Sequence, residues 1–264
     1  MSIVKLNLSA FKNLFRGLAL LALVVFSASC VSSGYKIKKE KESEATYKLG
    51  MAYLNDAPPN LQKGYIEFLK SVESNPNNKD SHYAIGHIYA QRQDYPNAIA
   101  SFKKAILIDP QYSAAYNYLG KTYELSGNDA DAILSYQEAL KNLQYETPQF
   151  PRWNMAMIYL KQRQYQQGLD ALLEVRRIVP TDPTVLDKIG ETYLQIGKSD
   201  KARLVFEEAV FVAPGDYLAH YRLASFYLEK GEKALASNSF KKVVELAPES
   251  TQAESAKKRL ELLK

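Results

Sequence analysis

The sequence has few of the residues that enzymes and metalloproteins use. It contains one cysteine, Cys30, so no disulfide can form within the chain, and only three histidines. His82 and His87 are five residues apart on a predicted helix, which turns their side chains about 140° apart. The glycines are spread along the chain and form no phosphate-binding loop. We therefore expect no cofactor, no metal and no small-molecule substrate, and predict that the protein is not an enzyme.

The charge of the sequence argues against a nucleic-acid-binding protein, and its hydropathy argues against a membrane-spanning helix near the N-terminus. The net charge is +5, but three of these positive charges, Lys5, Lys12 and Arg16, lie in the first 30 residues. No concentrated basic face remains, which argues against a nucleic-acid partner. The apolar run Gly17–Phe26 is shorter than the about 20 residues of a membrane-spanning helix. Basic residues followed by this run predict a secretory signal over residues 1–29.

What the sequence does contain is a repeat with a period of about 34 residues. A small residue recurs at Gly50, Gly86, Gly120, Ala156, Gly190 and Ala224. A tyrosine follows three places later each time, and a large apolar residue follows at Phe68, Phe102, Tyr136, Leu172, Phe206 and Phe240. Prolines end most copies, at Pro76, Pro110, Pro180, Pro214 and Pro248. Each copy predicts two helices whose backbones approach closely at the small residue.

This pattern resembles the tetratricopeptide repeats. The resemblance implies an all-α fold, a right-handed superhelical solenoid of six helix-turn-helix repeats with a capping helix over residues 250–264. The predicted repeats cover residues 43–78, 79–112, 113–148, 149–182, 183–216 and 217–249. Two copies are two residues too long. We place the extra residues in the turn Asp56–Asn60 and in the joint Lys141–Pro151.

The N-terminal region resembles a bacterial lipoprotein leader. Small residues Ser27, Ala28 and Ser29 precede Cys30, although the lipobox prefers an aliphatic residue where Ser27 stands. The resemblance implies lipidation of Cys30, and Val31 after it implies the outer membrane, with the repeats in the periplasm. The alternative is an odd thiol that happens to lie near a signal-peptidase site. Residues 30–42 are rich in charge and predict a flexible, lipidated tether.

A partner is expected in the concave groove lined by the first helices. Repeat 4 offers the most apolar set, in which Trp153 is the predicted anchor. The alternative is that Trp153 is buried against the joint before it. The predicted groove residues are Trp153, Phe150, Met157 and Leu160, with Tyr83, Asn117 and Tyr221 in other repeats, and Asp187, Glu191 and Leu228 beside them. The carboxylate clamp of chaperone-binding relatives is not reproduced.

The leader, the six repeats and the joint sequence LQYETPQFPRWNMAMIYL together resemble the outer-membrane lipoproteins that assist type IV pilus assembly. This resemblance implies a non-enzymatic adaptor whose partner is a secretin or another pilus component. Two alternatives remain open at this point. One is a general envelope adaptor in outer-membrane barrel assembly or polysaccharide export. The other is a repeat partner of an enzyme acting in trans.

Overall fold

The computed structural model describes residues 34–263, which contain thirteen helices and no strand. The chain divides into two compact units, Met1–Pro110 and Gln111–Lys264. Within residues 34–263, no helix is both long and apolar enough to cross a membrane. The predicted leader and Cys30 lie outside the described residues.

The first unit consists of two helical hairpins. Its helices are 34–54 (α1), Leu61–Ser74 (α2), Lys79–Gln91 (α3) and Tyr95–Ile108 (α4). The second unit has four hairpins and a final helix. Its helices are Ser113–Leu125 (α5), Asp129–Ala139 (α6), Gln149–Lys161 (α7), Tyr165–Ile178 (α8), Pro183–Gln195 (α9), Ser199–Val212 (α10), Tyr217–Glu229 (α11), Lys233–Leu246 (α12) and Thr251–Leu262 (α13).

Four of the six hairpins are closed by a contact between a glycine and an aromatic ring, as the repeat pattern predicts. A Cβ atom added at Gly120 would lie 2.7 Å from the Tyr136 ring, and one at Gly190 would lie 2.5 Å from the ring of Phe206. The same relation joins Gly50 to Phe68 and Gly86 to Phe102. Tyr136, Phe68 and Phe102 are completely buried. The absent side chain on the first helix is therefore what admits the aromatic ring of the second.

In every hairpin after the first, the turn ends the first helix in the same way. In the second hairpin, Gln93 adopts φ 61° and the backbone N–H of Asp94 donates to the carbonyl of Tyr89 at 2.9 Å. This is the Schellman end of a helix. In the first hairpin the equivalent carbonyl, that of Tyr53, accepts instead from Asn60, seven residues later. The two extra residues of repeat 1 therefore lie in this turn, as predicted.

The second pair of extra residues lies in the joint between repeats 3 and 4. Helix α6 has 11 residues, whereas α4 and α8 each have 14. Residues 140–148 then connect α6 to α7, whereas four residues connect α8 to α9. The joint is held in part by Asn142, whose side-chain amide donates to the carbonyl of Gln111 at 3.2 Å. A shortened helix and a longer connection together produce the two-residue shift.

The prediction of a flexible tether is wrong for residues 34–42, which are helical and continuous with the rest of α1. Lysine and glutamate favour helix, and here they also pair along the helix surface, Lys39 with Glu42 at 3.0 Å and Lys48 with Glu44 at 2.6 Å. Ser43 lies within α1, is buried, and hydrogen-bonds to Ser71 of α2 at 2.9 Å. A charge-rich sequence is typical of an exposed helix as well as of a flexible tether.

We expect Gly120→Ala to destabilise the protein by about 1–3 kcal/mol, because the new Cβ would meet a fully buried ring and, at 3.1 Å, the carbonyl of Ala132. In an unconstrained helix the same change stabilises by up to about 1 kcal/mol. Chemical denaturation measures the difference. The control is Gly215→Ala, where a Cβ meets nothing within 4 Å and stability should hardly change. Stabilisation by Gly120→Ala would show that the α5–α6 contact is not tight.

Candidate functional site

Helix α7 divides the predicted apolar set into two parts. Phe150, in its first turn, is 54% exposed. Trp153 and Met157 are half-buried and pack against the core cluster that includes Val175 and Val185. Leu160 also packs inward, because a Cβ added at Gly168 of α8 would lie 2.6 Å from its side chain. Phe150 is therefore the apolar residue of the set that is most open to a partner.

A cavity of about 440 Å³ lies where the start of α7, the end of α8 and the start of α9 meet. We call it the α7–α9 cavity. Its lining residues are Gln149, Phe150, Trp153, Val175, Val179, Asp182, Thr184 and Val185. The structure therefore brings Phe150 and Trp153 together. Met157 and Leu160 do not line this cavity, and Leu160 instead borders a separate depression beside Tyr165 and Glu191.

Most of the residues that complete the α7–α9 cavity were missed by sequence reasoning. Val175 and Val179 come from the second helix of repeat 4 and its end, while Asp182, Thr184 and Val185 begin repeat 5. Counting only positions on first helices could not find them. The usable signal was the repeat register, since stacked hairpins bring the end of one second helix beside the start of the next first helix.

Some side-chain oxygens of the second unit are buried without a hydrogen-bond partner among the described residues. They are Ser113 Oγ and Asn117 Oδ1 on α5, Gln149 Oε1 on α7, and Asp187 Oδ1 on α9. Asn117, predicted as a groove residue, is only 8% exposed. Trp153 and Asp187 hold the equivalent position, three residues before the small residue, in the next two repeats.

The predicted groove residues of the other repeats are held by packing. Tyr83 lies in the first unit, where its ring centroid is 4.5 Å from that of His87 and 5.8 Å from that of Phe102. Tyr221 lies in the second unit, with its hydroxyl 2.9 Å from Ser255 Oγ. Arg259 of α13 lies over the Tyr221 ring, 5.5 Å from its centroid. Tyr83 and Tyr221 therefore belong to different units, and each contributes to the packing of its own unit.

The histidines have packing roles. Burial lowers the pKa of His87 to about 4, so its imidazole is neutral at ordinary pH. The ring nitrogen of His82 donates to the carbonyl of Pro76, and that of His220 donates to the carbonyl of Pro214 in the same way. In the part of the chain described, no group of three or more histidine, cysteine, aspartate or glutamate side chains is arranged to hold a metal ion.

Asp187 and its neighbours form the main charged cluster on α9. Burial raises the pKa of Asp187 to about 6, and Arg222 opposes that rise only in part. The Arg222 Nε atom lies 4.0 Å from the Asp187 carboxylate, while its guanidinium contacts Glu191 more closely. Lys188 also pairs with Glu191, at 2.6 Å. Glu191 therefore takes both cations, and Asp187 remains weakly compensated.

The comparisons with known proteins agree on the fold. Residues 86–127 match a family model described as TPR repeat, and residues 188–251 match one described as Tetratricopeptide repeat. Superkiller protein 3 of Schizosaccharomyces pombe is 22% identical over 214 residues, which is 79% of this chain but only 15% of that protein. The predicted all-α, tetratricopeptide-repeat solenoid fold is confirmed. This fold typically serves as a non-enzymatic scaffold for protein interactions.

Two solved structures have a similar fold. The chain of PilF from Pseudomonas aeruginosa is 15% identical, with a TM-score of 0.67, and the match covers 84% of this chain and 99% of that one. PilW, described as a widely conserved type IV pilus biogenesis factor, is 18% identical with a TM-score of 0.65. That match covers 81% of this chain and 97% of PilW.

We expect the buried Asp187 carboxylate to make stability depend on pH. The folded chain keeps this proton up to about pH 6, whereas the unfolded chain loses it near the ordinary pKa of 3.8. The free energy of unfolding should therefore fall as pH rises between these values. Asp187→Asn should remove this fall and stabilise the protein by about 1–3 kcal/mol at neutral pH. Denaturation across this pH range measures the effect.

The exposed Asp170 provides the control for this measurement. Asp170→Asn should leave the fall in stability with rising pH unchanged. Equal slopes in the Asp187→Asn variant and the unmodified protein would contradict the assigned burial of Asp187.

Proposed function

We propose that the protein is a lipid-anchored adaptor that assists type IV pilus assembly from the periplasmic face of the outer membrane. Its partner is a secretin or another pilus assembly component. The observation that carries the proposal is the similarity in fold to PilW, a type IV pilus biogenesis factor, because the structural match covers 97% of the PilW chain. The leader sequence ending at Cys30 and the lengthened joint before α7 support it.

Partner binding is assigned to the surface around Phe150 and the α7–α9 cavity. A large exposed aromatic side chain next to an apolar cavity is the arrangement that interface anchors favour. Trp153 contributes to this surface, but it also packs against the core cluster. Trp153→Ala would therefore reduce stability and binding together, so Phe150 is the better residue with which to test the site.

Deletion of the gene should remove surface pili and reduce secretin multimers, and complementation with the unmodified gene should restore both. We expect Phe150→Ala to fail in this complementation, because truncating an interface anchor weakens binding by about 2 kcal/mol or more. Pilus counts by electron microscopy and secretin immunoblots provide the measurements.

The matched control is Phe211→Ala on α10, which removes the same side chain from a position that is 84% exposed. It should complement fully, and both variants should keep the thermal midpoint of the unmodified protein. Normal piliation in the deletion strain would rule out the pilus role. Complementation by Phe150→Ala would move the partner site away from α7.

The lipid anchor is tested separately. Cys30→Ala should leave the repeats folded but release the protein from the membrane fraction, because each buried lipid methylene contributes about 0.8 kcal/mol to membrane binding. Fractionation after a salt wash, followed by an immunoblot, measures the distribution. Retention of the Cys30→Ala protein in the washed outer membrane would contradict lipidation at this residue.

A further inference from the structure

The α7–α9 cavity is apolar on most of its surface and acidic at one end. Five of its lining residues are apolar, and Asp182 is the only charged residue among them. One carboxylate oxygen of Asp182 accepts from the backbone N–H groups of Thr184, at 2.8 Å, and Val185, at 3.3 Å. Within residues 34–263, Asp182 makes no ion pair, so its charge is compensated only by the start of α9.

The basic residues near the cavity in sequence already have partners. Arg176 binds Glu208 through both carboxylate oxygens at 2.7 Å, and Arg177 pairs with Glu174 at 2.6 Å. Lys188 pairs with Glu191. Arg152 of α7 donates to the carbonyl of Pro148 and does not line the cavity. None of these four basic residues therefore neutralises the Asp182 carboxylate.

The cavity and the following turn of α9 each contain a buried acceptor without a hydrogen-bond partner among the described residues. Gln149 lines the cavity, and its Oε1 atom is buried and receives no hydrogen bond from the described residues. Asp187, one helical turn beyond Thr184 on α9, has a second such oxygen. Acceptors without donors favour a ligand that brings N–H groups, and a cation most of all.

We propose that the α7–α9 cavity selects a protein segment in which an apolar side chain stands beside a lysine or arginine. The apolar side chain packs against Trp153 and Val179, and the cation lies near Asp182. The exposed ring of Phe150 at the cavity also suits an arginine, whose guanidinium stacks on aromatic faces. This inference rests on the proposed function only in taking the ligand to be a protein segment.

The test uses the full-length protein and a phage-displayed library of random short peptides. Selection should enrich peptides with an apolar residue next to lysine or arginine. A synthetic peptide of the enriched sequence should bind about tenfold more weakly to Asp182→Asn, since a hydrogen bond to a charged group contributes at least this factor. Asparagine still caps a helix, so α9 should keep its structure. Fluorescence anisotropy at low and high salt measures the affinities.

The matched control is Asp216→Asn, which changes the equivalent cap of α11 without touching the cavity. It should leave peptide affinity unchanged. Thr184→Arg places a cation of the chain itself at the cavity and should abolish binding, because Thr184 is exposed and contributes its backbone N–H, not its side chain, to the cap. Circular dichroism checks that all three variants remain folded.

Three outcomes would overturn the inference: no enriched sequence, an enriched sequence without a basic residue, or equal effects of Asp182→Asn and Asp216→Asn. These results differ from a failure of the proposed function. If the deletion strain assembles normal pili while the selected peptides depend on Asp182, the cavity assignment stands and the pilus role falls. If pili require Phe150 but the selected peptides lack a basic residue, the pilus role stands and the cavity assignment falls.

Discussion

The contact between a residue without a side chain on one helix and a large ring on the next is the constraint on which this structure depends. Where Gly120 faces Tyr136, or Gly190 faces Phe206, the ring fills the space that any Cβ would occupy. The contact fixes the rotation of both helices about their axes, because a helix can turn only one face inward. Every other face in the repeat, including the one offered to a partner, follows from that rotation.

Repeat 4 shows what happens when this constraint is relaxed. Its pair is Ala156 and Leu172, and a second pair with the sizes exchanged, Leu160 and Gly168, closes the same hairpin. Leu160 is therefore used for packing, which explains why it does not join Phe150 at the cavity. The first hairpin contains a similar exchanged pair, Leu54 with Gly64, where an added Cβ would lie 3.0 Å from the leucine.

The sequence was sufficient to predict the features that depend on local spacing. The hairpins and the pairing of small with aromatic residues are visible as a period of about 34 residues. The two-residue excesses are visible as departures from that period. The α7–α9 cavity was not predictable in this way, because Trp153 of repeat 4 and Val185 of repeat 5 are brought together by stacking and not by helical periodicity. The helix over residues 34–42 was not predictable for another reason, since the same lysines and glutamates suit a solvated linker and an exposed helix equally well.

The buried oxygens without hydrogen-bond partners are distributed over several repeats of the second unit. Buried acceptors without donors each destabilise a fold by about 1–3 kcal/mol, and native interiors contain few of them. Here Asn117, Gln149 and Asp187 lie on the first helices of three consecutive repeats, α5, α7 and α9. A repeat fold distributes its stability over many neighbouring contacts and can tolerate such local losses. Hydrogen-bond donors supplied by a bound segment would recover part of that free energy at Gln149, which lines the α7–α9 cavity.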